Sequence, residues 1–191
     1  KSMNIYLHVE ISMRELDSKL LLGVIAASRG HQVLISDISE IERGLRRGIL
    51  NPGIFHTKSI TPSDIKINFH KKLIDKKFLI TSIDEEAGLE LTDLKFEEFY
   101  LGRSSKKTIQ QSSAIFCWGD DDLKTFKKFY PKNKSKIIKT GSPRVDLWKS
   151  TFFNYWGAPN KKPKKPYLLV SSNMGTSNGI NSTSDVIKIF K

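Results

Sequence analysis

The sequence predicts an α/β fold with a doubly wound parallel sheet covered by helices. Short hydrophobic runs alternate along the chain with segments of helical periodicity. The first strand, helix and strand fit within residues 4–36, which is the size of a βαβ unit with parallel strands. The runs are hydrophobic throughout, as in strands that are buried on both faces. This alternation favours a parallel sheet over an antiparallel one.

The first βαβ unit carries clear local signals. Asn4–Val9 predicts a buried strand, and Ser12 and Glu15 have the spacing of a capping box at a helix start. Apolar residues then recur at the spacing of one helix face, at Leu16, Leu20, Val24 and Ala27. Gly30 ends this helix, where a left-handed residue is favoured, and Gln32–Ser36 is the second strand.

The same alternation continues to residue 140. Further strands are predicted at Ile54–Ser59, Phe78–Ile83, Ala114–Trp118 and Lys136–Thr140. Further helices are predicted at Ser39–Arg47, Asp64–Lys77, Lys106–Ser112 and Asp121–Tyr130. The last helix has Leu123, Phe126 and Phe129 on one face, and Pro131 ends it. A turn, Gly141–Arg144, follows the last strand.

The composition changes after residue 155. Residues 156–166 are rich in proline and lysine, which predicts a linker between domains. Residues 1–155 would form the first domain. Tyr167–Ser171 has the pattern of a new strand, so residues 167–191 are expected to begin a second α/β domain. On this interpretation the chain is a piece of a longer protein.

Positive charge is concentrated in one part of the chain. The formal net charge is +12, and most of the excess lies in residues 120–165. Such a segment suits nucleic acid, anionic lipid or a phosphorylated ligand. Lysine predominates and no basic stretch is interleaved with aromatic residues, so nucleic-acid binding is not expected. The single cysteine excludes an intrachain disulfide framework and fits a cytoplasmic location. No apolar run reaches the roughly 18–20 residues that span a bilayer.

Ligands of an open parallel sheet bind at the carboxyl ends of its strands, near the point where the strand order reverses. Polar residues that follow the predicted strands are therefore candidates for a binding site. They are Glu10, Arg14, Asp17, Asp84, Glu85, Glu86, Trp118, Gly119, Gly141, Ser142 and Arg144. His56, within its strand, is a weaker candidate for the same edge. No Gly-x-Gly-x-x-Gly follows the first strand, so no dinucleotide cofactor is predicted.

The acidic residues among these candidates have two interpretations. Asp84–Glu86 is either an acid cluster at a helix N-terminus or a site in which crowding raises the pKa of one carboxyl. A carboxylate of the second kind serves as a general base at neutral pH. Glu10 is either a solvated carboxylate or partner of Arg14, or a base beside a helix N-terminus that attracts anions.

No metal site is predicted. Asp120–Asp122 resembles the aspartate pairs that hold a divalent metal in some sugar-nucleotide enzymes. The three acids also open an amphipathic helix, however, and that explains them fully. The histidines are scattered without metal-ligand spacing, at His8, His31, His56 and His70.

Six segments together carry a more specific signal: HVEISMRELDSKLLLGVIAASRGHQVLISD, GIFHTKS, FLITSIDEEAG, FCWGDDD, KTGSPRVDLW and KPYLLVSSNMG. With them the chain, from Asn4 to Gly175, resembles the bacterial surface-carbohydrate biosynthesis proteins. These are a family of cytoplasmic glycosyltransferases with the two-domain GT-B architecture. Gly141–Asp146 in particular is similar to the Gly-x-Pro-Arg-x-Asp turn of polymer and capsule glycosyltransferases.

The resemblance implies that residues 1–155 form an amino-terminal, Rossmann-like domain that receives the acceptor. The carboxy-terminal domain would hold the nucleotide sugar, and this chain would contain its first strand together with Ser172 and Asn173. GT-B enzymes do not usually need a metal, so no metal or other cofactor is expected. The fragment is expected to be inactive alone because a cleft site needs both of its walls.

The function that the resemblance implies is transfer of a sugar from a nucleotide-sugar donor to a glycan or lipid-linked acceptor. Glu85, with Glu86 or Glu10 as alternatives, would deprotonate the acceptor hydroxyl or stabilise positive charge at the anomeric carbon. Arg14 and Arg144 would contact anionic sugar or phosphate groups. The basic segment would rest peripherally on the anionic inner face of the membrane, where lipid-linked acceptors reside.

Two other function classes stay open. A GT-B-like epimerase or hydrolase of nucleotide sugars would use similar carboxylates and would convert the donor with no acceptor present. A non-catalytic carbohydrate-binding module would keep the fold, and its function would not change on replacement of Glu85 or Glu10 by glutamine.

Overall fold

The computed structural model describes residues 2–87, 93–157, 166 and 168. Its centre is a six-stranded sheet in which every pair of neighbouring strands is parallel, in the order β2-β1-β3-β4-β5-β6. The strands are β1 (Asn4–His8), β2 (Gln32–Ser36), β3 (Gly53–Thr57), β4 (Leu79–Ile83), β5 (Ala114–Cys117) and β6 (Ile137–Lys139). The prediction of an α/β fold with a doubly wound, Rossmann-like parallel sheet is confirmed.

Helices flank the sheet and connect its strands. They are α1 (Ser12–Ser28), α2 (Ile38–Arg47), α3 (Asp64–Asp75), α4 (Asp93–Gly102), α5 (Lys106–Gln111), α6 (Asp120–Phe129), α7 (Pro143–Asp146) and α8 (Phe153–Trp156). Short 3₁₀ turns lie at Pro131–Lys136 and Ser150–Phe152. None of the helices among the described residues is both long and apolar enough to cross a membrane.

The hydrophobic core consists of two clusters that share the sheet. Phe55 and Ile80 of the sheet pack in the first, with the α3 residues Phe69 and Leu73. Ile115 and Ile137 lie in the second, whose other members are Ile60, Ala87, Cys117, Tyr100, Ile109, Phe126 and Tyr130. Leu123 and Phe129 pack against this second cluster, which confirms the predicted apolar face of α6. The helices are thereby fixed on the sheet, and the strand ends between them are held in place.

Caps set the ends of the helices that lead to the site. The Asp37 carboxylate accepts from the Glu40 N–H at 2.9 Å and starts α2, and Gly48 ends that helix in the left-handed conformation. The Ser63 hydroxyl accepts from the Lys66 N–H at 3.2 Å and starts α3. Aspartate and serine are both residue types that favour the N-cap position.

The predicted capping box of α1 is wrong. Ile11 is the N-cap residue, and Ser12 makes no capping hydrogen bond because it already lies inside the helix. The Glu15 carboxylate accepts from the backbone N–H of Glu10 at 2.8 Å, and Glu10 lies two residues before Ser12, whose N–H the predicted capping box would have used. It is also bound by the Arg14 guanidinium at 2.6 Å. Glu15 therefore ties the end of β1 to the helix that follows it.

The apolar stripe of α1 is exposed. Leu16, Leu20 and Val24 expose 36%, 40% and 67% of their surface. The buried positions of this helix are Glu15, Ser18, Lys19 and Gly23. A Cβ on Gly23 would lie 3.4 Å from Ile35 of β2, so the glycine lets α1 approach the sheet closely. The helix thus turns a small and charged face inward.

The chain divides after Tyr155. Residues Lys1–Tyr155 form one unit that contains the sheet, and a second unit begins at Trp156. The predicted strand Tyr167–Ser171 and the candidate residues Ser172 and Asn173 lie outside the residues that the structure describes. The proposed second domain therefore stays a prediction.

Candidate active site

The strand order reverses between β1 and β3, because β2 lies on one side of β1 and β3 on the other. This is the position at which doubly wound sheets bind their ligands, beyond the carboxyl ends of the strands. Glu10 follows β1 and Lys58 follows β3, and their side chains form an ion pair across the reversal point. Glu10 is 53% exposed, whereas Lys58 is 14% exposed. The Glu10 carboxylate is therefore accessible to a ligand, and the less exposed Lys58 holds it in place.

Glu86 lies beside this pair and contacts three cations. Its carboxylate is 2.8 Å from Arg103, 3.4 Å from Arg14 and 3.6 Å from Lys58. Burial raises the pKa of the Glu86 carboxyl, but the charges of Arg103, Lys58 and Arg14 outweigh burial and lower it. The expectation of a raised pKa is therefore wrong for Glu86. This carboxylate is ionised at neutral pH.

Asp84 begins the acidic turn that follows β4. Its carboxylate binds Arg103 through two contacts, at 2.5 and 2.8 Å, and also accepts from the Glu86 N–H at 2.9 Å. The α4 helix begins at Asp93. Asp84–Glu86 therefore forms a turn, and its acids do not lie in the first turn of α4. Arg103 holds the Asp84 and Glu86 carboxylates in this turn, in place of a helix dipole.

Glu85 points away from the accessible edge. Its side chain is 2% exposed and lies 2.5 Å from the amino group of Lys19, which is fully buried in α1. Its backbone N–H donates to the Lys58 carbonyl at 3.0 Å. A buried pair of this kind is not placed to touch a substrate. Its contacts instead join β4 to α1 and to the segment after β3, and so position Glu86 and Lys58.

The Gly141–Arg144 turn contacts the acidic turn Asp84–Glu86. Gly141 adopts φ +80°, which favours glycine, and its N–H donates to the Cys117 carbonyl at 3.2 Å. Arg144 donates to the Glu85 carbonyl at 2.8 Å, and its guanidinium lies 5.2 Å from the centre of the Trp118 ring. The Trp118 indole N–H donates to the Asp84 carbonyl at 2.9 Å. Hydrogen bonds from Arg144 and Trp118 thus join the Gly141–Arg144 turn to the acidic turn Asp84–Glu86.

Two of the other candidate residues have hydrogen-bond partners, whereas the buried Ser142 hydroxyl has none among the described residues. Asp17 accepts from the Tyr155 hydroxyl at 2.6 Å. Gly119 is the N-cap of α6 and donates to Asp122 at 2.8 Å. Ser142 is the N-cap residue of α7 and is buried.

His56 lies within β3 and lines an apolar cavity of about 420 Å³ on the sheet. Its Nδ1 is 2.9 Å from the Thr81 hydroxyl. Burial holds the pKa of His56 well below its usual range, so the ring is neutral. His56 is part of the sheet. Among the described residues, its ring makes no hydrogen bond or ion pair with the acids Glu10, Asp84, Glu85 and Glu86.

The Asp120–Asp122 triplet opens α6. Asp122 accepts from the backbone N–H groups of Trp118, at 2.6 Å, and of Gly119. Asp120 binds the amino group of Lys139 at 2.8 Å. The helix-start interpretation is confirmed. In the part of the chain that the structure describes, no group of three His, Cys, Asp or Glu residues is arranged to hold a metal ion.

Several cations of the site were not among the predicted residues: Lys19, Lys58, Lys66 and Arg103. Lys58 directly follows β3, but it lies inside the strand predicted at Ile54–Ser59, so the rule that gave Glu10 did not select it. Lys19 lies within α1 and Arg103 directly follows α4, and the partners of both residues are distant in sequence. No local pattern marks such residues.

No protein-family model matches this chain, and comparison with curated proteins gives no match either.

Proposed function

We propose that this chain is the amino-terminal, acceptor-side half of a glycosyltransferase that builds bacterial surface polysaccharide or lipopolysaccharide. The observation that carries the proposal is the pair of accessible carboxylates, Glu10 and Glu86, which Lys58 bridges at the reversal point of a parallel sheet. The six sequence segments that resemble surface-carbohydrate glycosyltransferases support the same assignment. The donor would be a nucleotide sugar and the acceptor a glycan or lipid-linked glycan.

Of the two carboxylates, Glu10 is the proposed base. It is the more exposed, and its one ion-pair partner among the described residues is Lys58. Glu86 is held by three cations that lower its pKa, which makes it a weaker base and a permanent negative charge. Glu85, the first choice from the sequence, would serve by positioning because its carboxylate is buried against Lys19.

In the proposed reaction, Glu10 takes the proton of the acceptor hydroxyl as that oxygen bonds to the anomeric carbon of the donor sugar. The bond between this carbon and the nucleotide phosphate breaks, and the nucleotide leaves with the electron pair. Glu86 would supply a fixed negative charge that stabilises the positive charge developing on the sugar. Arg144 and Arg14 would orient anionic groups of the substrates.

The proposal is tested by nucleotide release from a panel of nucleotide sugars, with and without a lipid-linked acceptor. The protein used is this chain together with its nucleotide-sugar domain. Release that needs the acceptor supports a transferase. Conversion of a donor without any acceptor supports the epimerase or hydrolase class. No conversion, with glycan binding retained, supports a carbohydrate-binding module.

A further inference from the structure

The residues that follow the carboxyl ends of β1, β3 and β4 form the rim of the sheet. Lys66 is the cation near this rim whose surroundings differ most from those of the others. It lies in the first turn of α3, and its side chain folds back over the segment that follows β3. The amino group is 2.7 Å from the Ser59 hydroxyl, 2.8 Å from the Thr61 hydroxyl and 3.2 Å from the Ser59 carbonyl. All of these oxygens are neutral. The lysine is half-buried, so its charge is partly removed from water.

The neighbouring cations are paired with carboxylates. Arg14 contacts Glu15 and Glu86, Lys19 contacts Glu85, and Lys58 contacts Glu10 and Glu86. Arg103 contacts Asp84 and Glu86. Among the described residues, Lys66 has no carboxylate at ion-pair distance. Arg144 also has none; its guanidinium donates to the Glu85 carbonyl and lies over the Trp118 ring, and the proposed function already assigns it to anionic groups of the substrates.

We propose that Lys66 and the Thr61 hydroxyl form a binding site for a tetrahedral oxyanion, such as a phosphate group of a ligand that enters the rim. The contact between the lysine and the Ser59 carbonyl is the longest of the three and is the one that the anion replaces. This carbonyl would not lose all its partners, because the Thr57 hydroxyl also donates to it at 3.3 Å. Ammonium and hydroxyl donors are the groups that phosphate oxygens bind.

Burial and the charges around Lys66 make anion binding at this site sensitive to pH. Burial, and next the charge of Lys58, lower the pKa of Lys66 to about 8, although Asp84 and Glu86 act in the opposite direction. The remaining charged or titratable groups that face it are Arg103, His8 and His70. Burial lowers the pKa of both histidines to about 4, so they are neutral where Lys66 titrates. A bound anion favours charged Lys66, so its affinity must fall as pH rises through about 8.

The experiment measures sulfate binding by NMR titration, because sulfate keeps the same charge throughout the range. At pH 7 we expect Lys66→Met to bind sulfate at least about tenfold more weakly than wild type. Lys71→Met removes an exposed lysine of the same helix and should leave the affinity unchanged. The affinity of the wild type should fall between pH 7 and pH 9.5. Lys66→Arg, whose guanidinium stays charged, should show no such fall.

Equal affinity of Lys66→Met and wild type would overturn the proposal. So would a fall with pH that is the same in wild type and Lys66→Arg, and this comparison stands even if Lys66→Met does not fold. A second arm compares inorganic pyrophosphate with vesicles of phosphatidylcholine and phosphatidic acid. Binding that Lys66→Met weakens for vesicles alone assigns the site to a lipid phosphate. Weakening for pyrophosphate assigns it to a soluble phosphate, and weakening for neither contradicts it.

The inference goes beyond the proposed function, and the two can fail separately. Sulfate binding needs no turnover, so a protein without transferase activity can still bind the anion at Lys66. A transferase whose anion binding ignores Lys66 would keep the proposed function and lose this site.

Discussion

At the scale of single residues, the site depends on charges whose partners are far away in sequence. The acids Glu10 and Asp84–Glu86 were predictable because they directly follow hydrophobic strands. Their roles were not, because Glu85 is separated from Lys19 by 66 positions, and Asp84 from Arg103 by 19. Strand position thus predicted which carboxylates lie near the rim. Burial and pairing decide which of them a substrate can reach.

The buried pair of Lys19 and Glu85 should contribute strongly to stability. Lys19→Met leaves the Glu85 carboxylate buried without its partner, and we expect the free energy of unfolding in urea to fall by about 3–5 kcal/mol. The double variant Lys19→Met/Glu85→Leu should recover most of that loss, since neither charge remains buried. Lys139→Met breaks an exposed pair and is the control, with little expected change. A single-variant loss no larger than that of the control would show that the pair is not important.

The buried histidines should make the fold sensitive to acid. Burial lowers the pKa of His8 and His70 from 6.5 to about 4, so the unfolded chain binds more protons between these values. Their contribution is complete above pH 6.5 and is lost as pH falls through about 4. We expect the free energy of unfolding to fall between pH 7 and pH 4.5, by about 3 kcal/mol or less for each histidine. His70→Gln should reduce this slope, and an unchanged slope would contradict the assignment.

Among the secondary-structure elements, the periodicity of a helix was predicted better than which of its faces is buried. The pattern of α1 was found correctly, but Leu16, Leu20 and Val24 are exposed. An apolar stripe is usually the buried face of a helix. Here Glu15 and Lys19, on the neighbouring face of α1, are buried in place of the stripe, and Gly23 allows the close approach to β2. The helix α4 was not predicted, although Phe96, Phe99 and Tyr100 have helical spacing and pack on the second core cluster.

Pairing of β1 with β3 should depend on a glycine. Gly53 pairs with Asn4, and a Cβ at this position would lie 2.1 Å from the Asn4 carbonyl oxygen. Gly53→Ala must therefore push the two strands apart, and we expect a loss of about 2–4 kcal/mol in the free energy of unfolding. Gly102→Ala is the matched control, because a Cβ at that position meets no atom within 4 Å. Equal stability of the two variants would mean that the strands adjust freely.

At the scale of the whole molecule, the parallel sheet could be predicted because each strand is a short hydrophobic run between helical segments. The order of all six strands could not, since no local pattern states which neighbour a strand chooses. That order places β1 beside β3, and so brings Glu10 to Lys58. One compact unit spans Lys1–Tyr155, and the predicted linker and second domain after it stay predictions.

The net charge predicts a salt-dependent surface interaction. Exposed lysines follow one another along α6 and the segment after it, at Lys124, Lys128, Lys132, Lys134 and Lys139. We expect the protein to bind vesicles that contain anionic lipid at low salt and to dissociate at about 0.5 M salt, because exposed charges are screened there. Vesicles of neutral lipid are the control. A bound fraction that does not change with salt would contradict peripheral contact through these lysines.

We propose that Glu10 takes the proton of the acceptor hydroxyl in sugar transfer. Acceptor-dependent nucleotide release by Glu10→Gln tests this role directly, and Asp121→Asn, which changes an exposed acid outside the site, is the control. We predict that kcat falls at least about 100-fold in Glu10→Gln and is unchanged in Asp121→Asn, with both variants folded. Full activity in folded Glu10→Gln would contradict the claim and would remove Glu10 from the chemistry.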